Sequence, residues 1–173
     1  DLAQPLDETP DLGQVAHRGS LGDLEAHAFR RDAEMMIPDA LYPQRKGATD
    51  SEALFLVALG LGLDTEPKAA MERATAQFEA LSQARGAAPH MRLTCAFSDG
   101  KRLYAIRYAS DDQAPTLFHR WSESRAGRAV VSEPLESDQS DWEAIPPNSF
   151  CTFEGADLTI EPFAPQVVAL AAQ

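Results

Sequence analysis

From Met91 onward the apolar residues recur at every second position, whereas upstream they recur at helical spacing, and this change of period constrains the fold more than any other feature. Met91, Leu93, Cys95 and Phe97 alternate with Arg92, Thr94, Ala96 and Ser98. Asp99-Gly100 reads as a two-residue turn and Leu103 to Tyr108 runs back, which predicts a β-hairpin. Further strands are expected at Thr116 to Trp121, Ala129 to Ser132, Ser149 to Phe153 and Leu158 to Phe163, the last two joined by a turn at Glu154-Gly155-Ala156-Asp157. Helices followed by antiparallel strands predict an α+β protein.

The helical half has three segments. Asp23 to Met36 places Leu24, Ala28 and Met35 among charged residues and should end before Pro38. Thr49-Asp50-Ser51-Glu52 is a capping box, in which Thr49 can accept from the Glu52 amide while the Glu52 side chain reaches back. The residues that follow, Ala53 to Leu59, are apolar nearly all round, so this helix should be buried on most faces until Gly60 and Gly62 weaken and end it. Glu66 to Ala84 resumes helical spacing with Pro67 in the first turn, a stripe of Ala70, Ala74, Phe78 and Leu81, and Gly86 as the stop. Asp1 to Gly22 reads as loop with one short strand near Gln14 to His17, and Asp39 to Lys46 as a turn-rich connector.

At 173 residues the chain is one domain's worth, long enough to bury a core without disulfides or metals. Its formal net charge of −12 would oppose a broad phosphate-binding surface, so no nucleic-acid partner is expected. The longest apolar run, Ala53 to Leu63, carries two glycines and is too short to span a bilayer, so no membrane association is expected either. Asp1 to Asp11 is acidic and Pro-containing, unlike a secretory leader, and two cysteines, Cys95 and Cys151, fit a reducing cytoplasm. A bridge between them would need adjacent strands; both are read as reduced core residues.

His17, His27, His90 and His119 have neither the i,i+4 nor the HxH spacing of a metal site, and no GxSxG, P-loop or GxGxxG string occurs, so no metal or cofactor is expected. Asp111-Asp112 and Asp138 to Asp141 could supply a carboxylate pair, but such acids in Ser/Gln-rich sequence are usually solvated turns. Arg92, Arg102, Arg107, Arg120, Arg125 and Arg128 could form a local anion site; arginines on exposed strand faces are the commoner case. Helix capping accounts for Thr49 to Glu52 completely by itself. A functional account adds that Asp50, a carboxylate held at the start of a buried helix, could bind a substrate ammonium group.

Several ordered strings point beyond local physics. Gly47 to Phe55, preceded by Ile37 to Tyr42, resembles the segment that carries the glutamine-contacting Asp of class II glutamine amidotransferases. Leu93 to Gly100 with Leu103 to Tyr108, then Val130 to Leu135, then Trp142 to Pro146, resemble that family's later signatures in the same order. The likeness spans Gly19 to the end, and is nearest to the stand-alone branch that includes the ergothioneine-pathway γ-glutamyl hydrolase.

The resemblance implies an N-terminal-nucleophile fold, an αββα sandwich of two antiparallel sheets between helical layers. It implies an amidohydrolase in which a cysteine at the mature N-terminus attacks the side-chain amide of glutamine or a γ-glutamyl compound, with its own α-amine as base. Substrate binding is carried onto Asp50, which would hold the α-amino group, onto Thr49 beside it, and onto Gly19 of the string that supplies the oxyanion pair. That string, His-Asn-Gly in the family, here reads His17-Arg18-Gly19, and the chain begins with Asp1. The expectation is therefore the C-terminal larger part of one such domain, its nucleophile and substrate-binding Arg lying outside the sequence, with no catalytic residue assignable within it. The alternative is a non-catalytic ligand-binding or scaffold relative; whether the chain pairs as a homodimer stays open.

Overall fold

The computed structural model describes residues 23–87, 90–134 and 141–167. Within them the chain forms α1 (Asp23–Met35), α2 (Asp50–Gly60) and α3 (Pro67–Ala84), then β1 (Arg92–Ser98), β2 (Leu103–Ala109), β3 (Phe118–Ser122), β4 (Gly127–Val131), β5 (Glu143–Ala144), β6 (Ser149–Glu154) and β7 (Asp157–Pro162). The change of period falls where helix gives way to strand. The expected strand near Gln14 to His17, together with Arg18, Gly19, Leu135 and Asp138, lies outside the described residues.

Two antiparallel sheets stack. One has the order β1-β2-β6-β7 and the other β4-β3-β5. Strand alternation gives the larger sheet two apolar faces. Leu93, Cys95, Phe97, Tyr104, Ile106, Tyr108 and Phe150 share one core with the helices. Ala105, Cys151 and Phe153 on the opposite face share a second core with Leu117 and Ile145 beside the smaller sheet. One helical layer and two sheets of the expected sandwich are thus in place. Rings on the helix-facing side form a continuous row, Phe97 to Tyr104 at 5.1 Å, Tyr104 to Phe150 at 5.7 Å and Phe150 to Phe163 at 6.5 Å between centroids.

α2 buries Ser51, Ala53, Leu54, Leu56, Val57 and Ala58, which leaves it no broad wet face, and each large aliphatic among them contributes about 1.5–3 kcal/mol by leaving water. Its end is a Schellman motif. Gly62, at φ +92°, lets its own amide reach Leu59 O and the Leu63 amide reach Ala58 O, both at 3.1 Å. Gly60 has a different job from the expected helix weakening: a Cβ there would sit 2.4 Å from Pro38 Cγ, so it lets the chain leaving α1 cross α2 closely. α3 closes in the same way as α2, with Ala87 N donating to Ser82 O, and buries Ala70, Ala74, Phe78 and Leu81 as its stripe predicts.

Three expectations need correction. Among the α1 side chains that are described, 29–35, the buried ones are Phe29 and Ala33, continued by Ile37, while Met35 is 75% exposed; the expected Leu24 and Ala28 side chains lie outside them. An i,i+4 series set by Phe29 outranks the looser spacing that pointed to Met35. The β1-β2 register pairs Ser98 with Leu103, so the loop holds four residues, 99–102, and not two. Asp99 explains the longer loop. Its Oδ1 accepts from the amides of Lys101 (2.9 Å) and Arg102 (2.7 Å), and its Oδ2 from Tyr104 Oη (2.9 Å) and Arg102 Nε (3.1 Å). Burial alone would raise this carboxyl's pKa, but those bonds outweigh it and hold the group well below the carboxylate range. Third, the two-residue strand β5 stands where no strand was expected.

Cys95 faces the helices and Cys151 the second sheet, on strands separated by β2, so the two thiols are free and lie on opposite faces of one sheet. No helix among the described residues is long and apolar enough to cross a membrane.

Candidate functional site

The start of α2 gathers the described residues to which substrate binding was carried. Thr49 takes the extended conformation of an N-cap, and its Oγ1 accepts from the Glu52 amide at 3.3 Å. Asp50 is the first helical residue, half-buried, and its Oδ1 accepts from the Ser51 amide at 2.9 Å. The capping box closes only on one side. Glu52 does not return to the N-cap amide; its Oε1 accepts from Lys46 N and its Oε2 from Gly47 N, each at 2.8 Å. The longer reach was not legible from a motif that specifies only the four residues of the box.

A carboxylate here benefits from the positive end of the helix dipole. Acting only as an acceptor, with part of its surface open to solvent, it is suited to bind an ammonium group. Immediately behind it, Ser51, Leu54, Phe55, Met71, Leu93, Cys95 and Phe97 line an apolar cleft between α2, α3 and β1. Ser51 is 6% exposed, so one residue separates an accessible carboxylate from the core.

Both cysteines are buried, which disfavours the thiolate that a nucleophile needs. Burial pushes the Cys95 thiol up to about 12. Burial likewise pushes Cys151 up to about 11 although Arg128 pulls it the other way. The acidic pair at 111–112 is a turn. Asp111 binds Arg92 at 2.6 Å, and Asp112, at φ +60°, accepts from Asn148 Nδ2 at 3.4 Å. Asp141 is exposed.

Among the described residues the arginines are dispersed and form no common anion site; the Arg125 side chain lies outside them. Arg102 holds Asp99; Arg107 donates to the carbonyls of Pro115, Ile145 and Ala114; Arg120 stacks on Trp142 at 4.6 Å. Arg128 donates through one nitrogen to His119 Nδ1 at 3.0 Å and through another to Ala156 O at 2.7 Å, its guanidinium 4.5 Å from the Phe153 ring. Since a guanidinium has no acceptor, His119 must be the neutral tautomer with its proton on Nε2. Burial first, then the Arg128 charge, lowers the His119 pKa, with Glu143 opposing. Sequence spacing missed this arrangement because its members lie on β3, β4, β6 and the β6-β7 turn. No group of three or more His, Cys, Asp or Glu among the described residues is placed to hold a metal.

No family model and no curated protein matches the chain. A solved structure does: a glutamine aminotransferase class-II domain protein from Silicibacter pomeroyi is 49% identical, with a TM-score of 0.79, over 88% of this chain and 67% of that one. Identity of that level across so much of both chains shows common descent as well as a common fold, and the chain belongs to the class II glutamine amidotransferase family.

Proposed function

We propose that this protein is an amidohydrolase of that family, cleaving the side-chain amide of glutamine or of a γ-glutamyl compound, with Asp50 as the anchor for the substrate's α-ammonium group. The observation that carries the reading is the half-buried Asp50 carboxylate, fixed at the first position of a buried helix and backed by an apolar wall. Thr49 sets the helix entry beside it. The nucleophile is a cysteine at the mature N-terminus, carried by a segment outside this sequence. Its α-amine takes the thiol proton, the thiolate adds to the amide carbon, and ammonia or an amine leaves as a thioester forms; water then releases glutamate. Gly19 is assigned to the oxyanion site from its place in the string that supplies the family's oxyanion pair. The high thiol pKa values of Cys95 and Cys151 support placing the nucleophile elsewhere.

A second reading, a ligand-binding relative without turnover, draws on one observation, Arg18 at the position of the oxyanion Asn. N-terminal sequencing and intact mass of the natural protein, followed by a glutaminase assay, separate the two. A mature N-terminal Cys with glutamine hydrolysis supports the first; calorimetric binding of glutamine with no ammonia release supports the second. An authentic N-terminus at Asp1 sinks the hydrolase reading.

A further inference from the structure

We propose that Glu52 is a positioning residue: by gripping the Lys46 and Gly47 amides it sets where the Asp50 carboxylate stands, an inference that rests on the reading of Asp50 given above. Asp50 lies one residue past the N-cap, so its place is dictated by the direction in which residues 45–49 enter the helix. Among the described residues little else holds that approach. Lys46, Gly47, Ala48 and Thr49 are all exposed and belong to no strand or helix. Upstream, Arg45 is tied to Glu34 of α1 at 2.6 Å. Between that tie and the helix, the Glu52 carboxylate uses one oxygen for each of two successive amides at 2.8 Å, in charge-assisted bonds that bridge five and six residues.

The side chain is not a second ammonium ligand. Residues two apart on a helix project about 200° apart, so Glu52 and Asp50 face different ways, and both Glu52 oxygens are already engaged. Gly47 is the other half of the device. A Cβ at Gly47 would fall 2.9 Å from Glu52 Oε2, closer than such contacts allow, so a side chain there must shift the carboxylate from its present place. The same grip can therefore be disturbed from either side, by Glu52→Gln, which sets an NH2 group against one of the amide donors, or by Gly47→Ala, which displaces the carboxylate.

The test compares hydrolysis of L-glutamine with that of glutaramic acid, glutamine without its α-amino group, by the full-length natural protein. Glu52→Gln and Gly47→Ala should each raise KM for glutamine by about tenfold with kcat little changed, and should lower the glutamine-to-glutaramate ratio of kcat/KM by the same factor, because the analogue offers Asp50 nothing to hold. Val57→Ala, in the buried body of α2, serves as the control: Tm should fall with the ratio at its wild-type value. If Glu52→Gln and Gly47→Ala also lower Tm without moving the ratio, Glu52 is a helix cap and the proposal is overturned. Asp50→Asn distinguishes the two levels of failure. A collapsed ratio in Asp50→Asn beside an unchanged one in both grip variants removes the positioning role alone; an unchanged ratio in Asp50→Asn removes the anchor and the positioning role with it.

Discussion

The start of α2 and the space between the two sheets each hold a half-buried charge, Asp50 in one and Arg128 in the other, by opposite means. Asp50 sits in a frame of near neighbours, with Thr49, Ser51 and Glu52 beside it and Lys46 and Gly47 tied back within six residues. Arg128 is held by partners brought from afar: His119 across the β3-β4 pairing, Ala156 28 residues on, and the Phe153 and Trp121 rings. Local framing leaves part of a carboxylate's surface open to solvent. Long-range framing engages both terminal guanidinium nitrogens, one within the smaller sheet and one across to the larger.

That contrast makes Arg128→Ala the more damaging of the two charge removals. It removes two hydrogen bonds from a charged donor and the stacking on Phe153, and leaves the His119 and Ala156 acceptors unpaired; the loss should be about 2–4 kcal/mol, measured by urea unfolding. A loss near zero would mean that the second sheet is held by Ile145, Leu117 and Phe153 alone.

His119→Phe comes next. It deletes the acceptor for Arg128 while keeping a ring against Phe153, 5.2 Å away, and should cost about 1–3 kcal/mol near pH 8. The same residue makes stability depend on pH. Its folded pKa lies below the ordinary imidazole value of 6.5, so the contribution is complete above that value, where the ring is neutral in both states. As pH falls from 6.5 the unfolded chain takes up the proton first and stability drains away, until the lowered folded pKa is passed. His119→Phe should flatten this part of the pH profile; an unchanged slope would assign it to other groups.

What was legible in the sequence follows the same division. The helix start, the buried body of α2, the α3 stripe and the β1-β2 pairing are written in residues close together in the chain, and the structure matches them. Where neighbours compete, the reading slipped: Phe29 overrode Met35, and the Asp99 side chain opened a four-residue loop. The residues joining the sheets could not be found locally at all, since nothing near Arg128 announces His119 as its partner, and two residues of β5 are too few to show a period. At the site, Asp50 was reached through the ordered strings and not through physics, because a helix cap explains the same residues.

Within the local frame, Thr49→Ala should cost about 1 kcal/mol, since it leaves the Glu52 amide without its acceptor, whereas Thr49→Ser keeps the oxygen and should cost a few tenths. Thermal unfolding of the pair separates the cap from the threonine methyl. Equal losses in the two variants would show that packing, and not the hydroxyl, holds the helix start.

Asp50→Asn should have the smallest effect on stability of all. An Asn oxygen can still accept from Ser51, and the interaction of charge with the helix dipole that is given up is worth about 0.3–1 kcal/mol. The functional effect should run the other way, with glutamine turnover or affinity falling at least tenfold, because a neutral amide cannot neutralise an ammonium group. This pairing of a small stability change with a large functional one is what a ligand-facing charge requires, and Arg128 should show the reverse. If Asp50→Asn unfolds the protein as Arg128→Ala does, the carboxylate is spent on the fold, and the two charges differ only in how far away their partners lie.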